Sequence, residues 1–196
     1  MAAFKFLFDY GSPASYLAWK RLPAMVARTG ASVEVVPILL GGVFKATGNV
    51  MPASVPAKGR WMNGDLAIWA KRDGTPLTMN PHFPINTVAL MRGAVAAEMR
   101  GELTAYSDAV FNAMWRDGRN TGDLAVLADV LTEAGLDAAA YAAAIDSAEV
   151  KDKLRANTEA AVAAGAFGAP SFLVGDRLFF GQDRTAFVEL ALKGEL

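Results

Sequence analysis

Apolar and polar positions change rhythm twice along this chain. It opens on Phe4-Lys5-Phe6-Leu7-Phe8, a short apolar run dense in aromatics, which reads as a strand. A polar turn at Gly11-Ser12 and a proline at 13 follow, and Tyr16-Leu17-Ala18-Trp19 begin a helix that runs to about residue 29. Residues 32–37 read as a second strand, buried on both faces. A strand–helix–strand unit of this kind favours a parallel pair with a right-handed crossover. From 41 to 164 the spacing turns helical, with helices expected over 41–47, 59–73, 86–99, 103–116, 123–134, 137–145 and 148–164. Proline, glycine and asparagine breakers at 52–56, 74–76, 80–84, 118–122 and 135 separate them. Strand rhythm returns at Ser171-Phe172-Leu173-Val174 and Arg177-Leu178-Phe179-Phe180, joined by a Gly175-Asp176 hairpin turn. A last helix is expected after Gly181-Gln182-Asp183-Arg184, with Asp183 as its cap. The pattern predicts an α/β chain: a sheet domain made of 1–40 and 165–196, with an all-helical domain, 41–164, inserted between its second and third strands.

Composition narrows the chemistry. The 196 residues are 53% hydrophobic, much of it helix-forming alanine. The mean hydropathy is +0.24, yet no uncharged apolar run has the length a membrane span needs. No secretory pattern stands at the N-terminus, so the cytoplasm is the expected location. Lysine and arginine number 19 against 20 acids and form no basic block, which argues against nucleic acid as a partner. There is no cysteine, and so no disulfide, thiolate metal site or protein-thiol redox cycle. A single histidine, His82 in a proline-rich loop, reads as a surface or loop-packing residue, and no metal site is expected.

The junction of first strand and first helix concentrates the possible chemistry. A helix start offers N–H groups with no intrahelical partner and a partial positive charge, so it binds anions and lowers the pKa of a thiol held there. Pro13 suits the first helical position, where a missing N–H costs nothing. Ser12 can cap this helix or donate a hydrogen bond to a bound anion. In redox proteins of the thioredoxin type a Cys-x-x-Cys pair stands here; this chain has Ser12 and Ser15, so any thiol must come from outside.

The residues Phe8-Asp9-Tyr10-Gly11-Ser12-Pro13-Ala14-Ser15-Tyr16-Leu17-Ala18, Lys45-Ala46-Thr47-Gly48-Asn49, Phe83-Pro84-Ile85-Asn86-Thr87, Phe167-Gly168-Ala169-Pro170-Ser171-Phe172 and Phe180-Gly181-Gln182-Asp183-Arg184 together carry a resemblance. In order and spacing, over nearly the whole chain, they resemble the 2-hydroxychromene-2-carboxylate isomerase family. That family sits in the DsbA-like branch of the thioredoxin superfamily, close to kappa-class glutathione transferases. The resemblance implies a thioredoxin-like sheet domain with a large all-helical insertion. It implies glutathione as cofactor, a small aromatic carboxylate as substrate and a homodimer. It also implies that Ser12 hydrogen-bonds the glutathione sulfur, and that a cis Pro170 leaves the main chain of Ala169 to pair with the tripeptide. Gly181, Gln182 and Asp183 would receive the γ-glutamyl end, although Asp183 can equally be only a cap.

Lys45, Asn49, Arg60, Trp61 and Asn86 of the insert are candidates for the substrate wall. An acidic aromatic substrate wants a cation for its carboxylate and a ring against its own. Lys45 and Asn49, four apart, are expected on one helix face, and Asn86 can also cap the helix that follows. Members of the family often carry an aromatic at the position of Ala14, tyrosine at Trp61 and arginine at Ile68. The reaction implied is reversible thiolate addition converting 2-hydroxychromene-2-carboxylate to trans-o-hydroxybenzylidenepyruvate in breakdown of naphthalene-type aromatics. Two other readings stay open: a kappa-type transferase that consumes glutathione, and a non-catalytic DsbA-like binding protein.

Overall fold

A computed structural model describes residues 2–196 of the chain. Strand β1 (Ala3–Phe8) leads into helix α1 (Pro13–Thr29) and strand β2 (Ser32–Pro37). Seven helices follow: α2 (Leu40–Thr47), α3 (Pro56–Asp73), α4 (Val88–Met99), α5 (Leu103–Trp115), α6 (Leu124–Glu133), α7 (Ala138–Ala144) and α8 (Ala148–Ala163). The chain then forms strands β3 (Ser171–Val174) and β4 (Arg177–Phe180) and helix α9 (Thr185–Leu192). The sheet order is β2-β1-β3-β4, with β1 parallel to β2 and both other pairs antiparallel. This is the thioredoxin-like, DsbA-type architecture.

Period-two alternation in β1 sends Phe4, Phe6 and Phe8 to one face and Leu7 to the other. On the first face the rings of Phe6 and Phe8 stack at 5.6 Å, and Phe111 of α5 reaches Phe8 at 5.7 Å and Tyr10 at 4.7 Å. Ring pairs at such separations add to the area they bury. On the second face Leu7 shares a buried cluster with Ile38, Val43 of α2 and Ala161 of α8. Helices from the 41–164 segment therefore cover both faces of the sheet.

Several boundaries differ from the pattern reading. Strand β2 is only half buried, because it is the sheet edge and has one neighbour. The third of the inserted helices begins two residues later than expected, at Val88, because Asn86 accepts the Val88 N–H through its side chain and holds a turn there. Asp183 does not cap α9: residues Gln182–Arg184 first form a 3-10 turn, and Arg184 occupies the cap position with no side-chain bond. Trp115 is buried, but Trp61 is 71% exposed on the outer side of α3.

Candidate functional site

Three loops meet at the start of α1. Ser12 is its N-cap, and its Oγ accepts the Ser15 N–H at 3.1 Å. The same hydroxyl donates to the Ala169 carbonyl at 3.0 Å. Both bonds are made within a buried setting, so one serine both caps the helix and fastens it to the loop before β3. That loop is fixed further on, where the Gly181 N–H donates to the Pro170 carbonyl at 2.9 Å. The Ala169–Pro170 peptide is cis, as is Phe83–Pro84. Asn49 reaches back from beyond α2 and donates through Nδ2 to the Phe167 carbonyl at 2.8 Å. Ser12, Ala169, Pro170, Gly181 and Asn49 are thus joined in one hydrogen-bonded assembly. Among the described residues the N–H groups of Ala14 and Ala169 have no backbone or side-chain partner. Ser15 Oγ is buried and unpartnered as well.

Glycine is required at two positions here. A Cβ on Gly168 would stand 2.6 Å from the Phe180 ring, and Gly181 adopts a φ of 106°, where a side chain is strained. The close approach at Gly168 lets Phe167 and Phe180 pack with ring centroids 4.5 Å apart, both partly exposed at the rim.

Gln182 turns inward. It is buried, and Arg21 of α1 donates to its carbonyl at 2.6 Å and to its Oε1 at 3.2 Å. Arg21 is also ion-paired with Asp73 at the end of α3 and lies over the Trp69 ring. Burial pulls the Arg21 pKa down while Asp73 pushes it up. Asp183 beside it is half-buried, with a carboxylate 3.6 Å from Arg184.

Behind Ser12 lies Asp9, a carboxylate only 1% exposed. Its Oδ1 accepts the Gly11 N–H and its Oδ2 the Leu40 N–H, each at 2.8 Å. Burial raises its pKa above the usual carboxylate value, while the Leu40 and Gly11 amides and the Thr87 hydroxyl oppose that rise. Asp9 thereby pins the α1 turn to the start of α2. It lines a cavity of about 280 Å³ with Gly11, Phe44, Met51, Phe83 and Asn86.

The other expected contacts lie elsewhere. Lys45 lines a separate and larger groove between α2, α4 and α8, and does not share a face with Asn49. The reason is local: α2 ends at Thr47, and Gly48 turns left-handed, so helical spacing stops before residue 49. Arg60 and Trp61 stand exposed on α3, outside both cavities. His82 is exposed. The pattern reading gave no role to Asp9 or Arg21. A charged residue closing an apolar strand was the available signal for Asp9; nothing local marks Arg21, whose partners are far away in sequence.

The DSBA-like thioredoxin domain family model matches residues 4–193. The chain is 34% identical over 188 residues to a 2-hydroxychromene-2-carboxylate isomerase of Sphingobium xenophagum, covering 94% of each chain. It is 28% identical to a kappa-class glutathione transferase, kappa 2, of Caenorhabditis elegans, covering 92% of this chain and 87% of that one. A solved structure of 2-hydroxychromene-2-carboxylate isomerase superposes with a TM-score of 0.88 at 28% identity, over 98% of this chain and 95% of that one. No helix among the described residues is long and apolar enough to cross a membrane.

Proposed function

The chain belongs to the 2-hydroxychromene-2-carboxylate isomerase family of DSBA-like thioredoxin proteins, and from that footing we propose a glutathione-dependent cis–trans isomerase acting on 2-hydroxychromene-2-carboxylate. An isomerase is the activity its relatives support. The observation that carries the finer reading is the Ser12 hydroxyl at the α1 start, in a chain with no thiol of its own.

The residues present suit a bound thiol tripeptide. The unpartnered N–H groups of Ala14 and Ala169 are donors available to a bound acceptor. Asp183 has a partly exposed carboxylate for an ammonium group. Gln182 would act through its backbone, since Arg21 holds its side chain. Glutathione would supply a thiolate that adds reversibly to the conjugated carbon, making a double bond rotatable. The helix start and the Ser12 proton favour negative charge at that sulfur. Ser12 has one proton to give, so donating it to sulfur releases the Ala169 carbonyl for the tripeptide's own N–H. The cavity beside Asp9 would take the aromatic carboxylate, with Phe44 and Phe83 as walls and the Asn86 amide for its polar end. None of Lys45, Arg60 and Trp61 lines it, so they have no part in this reading.

Ser12→Ala removes both the proton donor and a cap, so Ser147→Ala is the matched control. Ser147 caps α8 through Val150 at 3.3 Å and touches nothing in the site. In a urea titration Ser147→Ala should lose about 1 kcal/mol of stability, and Ser12→Ala somewhat more, because it gives up the bond to the Ala169 carbonyl as well as the cap. Only Ser12→Ala should lose isomerase turnover, by about 100-fold, on the scale of a lost oxyanion donor. Equal turnover in the two would remove Ser12 from the reaction. The kappa-type relative keeps a transferase reading in view; a product mass increased by glutathione would select it over isomerisation.

A further inference from the structure

A second cavity is the groove between α2, α4 and α8, about 740 Å³, within the range of ligand sites. It is not the cavity beside Asp9, although Leu39 and Val88 border both. Its apolar lining is aliphatic throughout: Leu39, Val88, Leu154 and Val162 form it with alanines, and no aromatic ring contributes. Four cations from three helices surround this lining: Lys45 of α2, Arg92 of α4, and Lys151 and Arg155 of α8. Glu159 is the one acid among the lining residues. Arg92 and Lys151 share a single exposed carboxylate, Asp146, at 3.6 and 3.3 Å. Arg155 is paired with Asp152. Lys45 has no acidic partner within 4 Å among the described residues. The mouth therefore carries cationic charge that its own acids leave underpaired, above a body that offers only aliphatic contact.

We propose that this groove binds an aliphatic carboxylate, its chain along Leu39, Val88, Leu154 and Val162 and its carboxylate between Lys45 and Arg92. Burying methylenes supplies affinity, and the charged rim selects an anion over a neutral amphiphile. The absence of any ring in the lining distinguishes this ligand from the aromatic acid proposed for the cavity beside Asp9.

Calorimetric titration of the full chain with decanoate tests this. Saturable binding at one site is expected, with decanol at least about tenfold weaker. Lys45→Glu with Arg92→Glu should weaken decanoate about tenfold or more, since attraction becomes repulsion. Ala46→Trp fills the groove from an exposed position and should abolish binding while leaving the melting transition cooperative. Ser12→Ala should bind decanoate as the parent does, which separates this site from the proposed isomerase chemistry. Binding of 1-naphthoate as tight as decanoate would overturn the aliphatic assignment. Undiminished affinity in the charge-reversed or filled variant would overturn the location. A sedimentation mass of two copies that Ala46→Trp halves, with no decanoate binding, would assign the groove to a second copy of this chain and overturn the proposal.

Discussion

Leu39 and Leu40 donate neighbouring backbone N–H groups to opposite sides of the chain. Leu40 gives its N–H to the buried carboxylate of Asp9, at the end of β1. Leu39 gives its own, at 2.9 Å, to the hydroxyl of Thr158 in α8. The first bond ties the start of α2 to the sheet and the candidate site; the second ties it to the helix that floors the aliphatic groove. Two orphan donors at one helix start are satisfied by different chemistry. A carboxylate makes the stronger bond and accepts two amides at once, but it brings a charge into a dry place. A hydroxyl makes a weaker bond with no charge, and it donates its own hydrogen bond to the Leu154 carbonyl at 2.8 Å. The site side of α2 is therefore firm and sensitive to pH, whereas the groove side is held by a neutral contact.

Asp9→Asn should break the firm side with the largest effect. An amide can offer its one oxygen to Gly11 or to Leu40 but not to both, which leaves a buried N–H unpaired at about 2–3 kcal/mol. The pH dependence carries a sign. The folded pKa of Asp9 lies above its unfolded value, so the folded chain holds a proton that the unfolded chain has released. The associated stability is fully present below about pH 4 and is lost as pH rises through the folded pKa. The stability gap between parent and Asp9→Asn, read by urea titration at several pH values, should narrow over that window. A gap that widens with pH would mean that the amides outweigh burial at Asp9.

Thr158→Val makes the matching cut on the groove side. Valine keeps the shape and removes the acceptor, so the Leu39 N–H is left unpaired at about 1–2 kcal/mol. The loss should be the same at every pH in the same titrations. A pH-dependent loss would show the two pins to be coupled through α2.

What the sequence disclosed follows the range of the forces involved. Alternation in β1, the Ser12-Pro13 start of α1 and the Gly175-Asp176 turn are local, and each stands where the pattern put it. Seven helices between β2 and β3 were legible from spacing and breakers read together with the family resemblance. The edge position of β2 was not, since it depends on which strands pair beyond it. The cap assigned to Asp183 failed because Asp183 falls inside a 3-10 turn that precedes the helix. Lys45 and Asn49 were put on one face by counting through Gly48, where the helix had already ended. The bond from Ser12 to Ala169 spans 157 positions and the pairing of Arg21 with Asp73 spans 52, so neither leaves a local trace.

The smallest expected effect compares two adjacent glycines of α2. A Cβ on Gly41 meets nothing within 4 Å, whereas one on Gly42 would stand 3.1 Å from Thr158 Cγ2. Neither glycine needs a positive φ. Gly41→Ala should therefore stabilise the chain by about 0.5 kcal/mol, because alanine has less backbone freedom to lose on folding. Gly42→Ala should gain nothing or lose slightly. Its neighbour cannot rotate away, since the Thr158 hydroxyl is held by both Leu39 and Leu154. Combining Gly42→Ala with Thr158→Ser isolates the clash. Serine keeps the hydroxyl that pins Leu39 but lacks the methyl, so alanine at 42 should show its full gain in that background. The double-mutant cycle would then give a coupling of about 0.5–1 kcal/mol. A coupling of zero would mean that α2 shifts to admit the methyl, and that the groove side of this helix is held less tightly than its neutral pin implies.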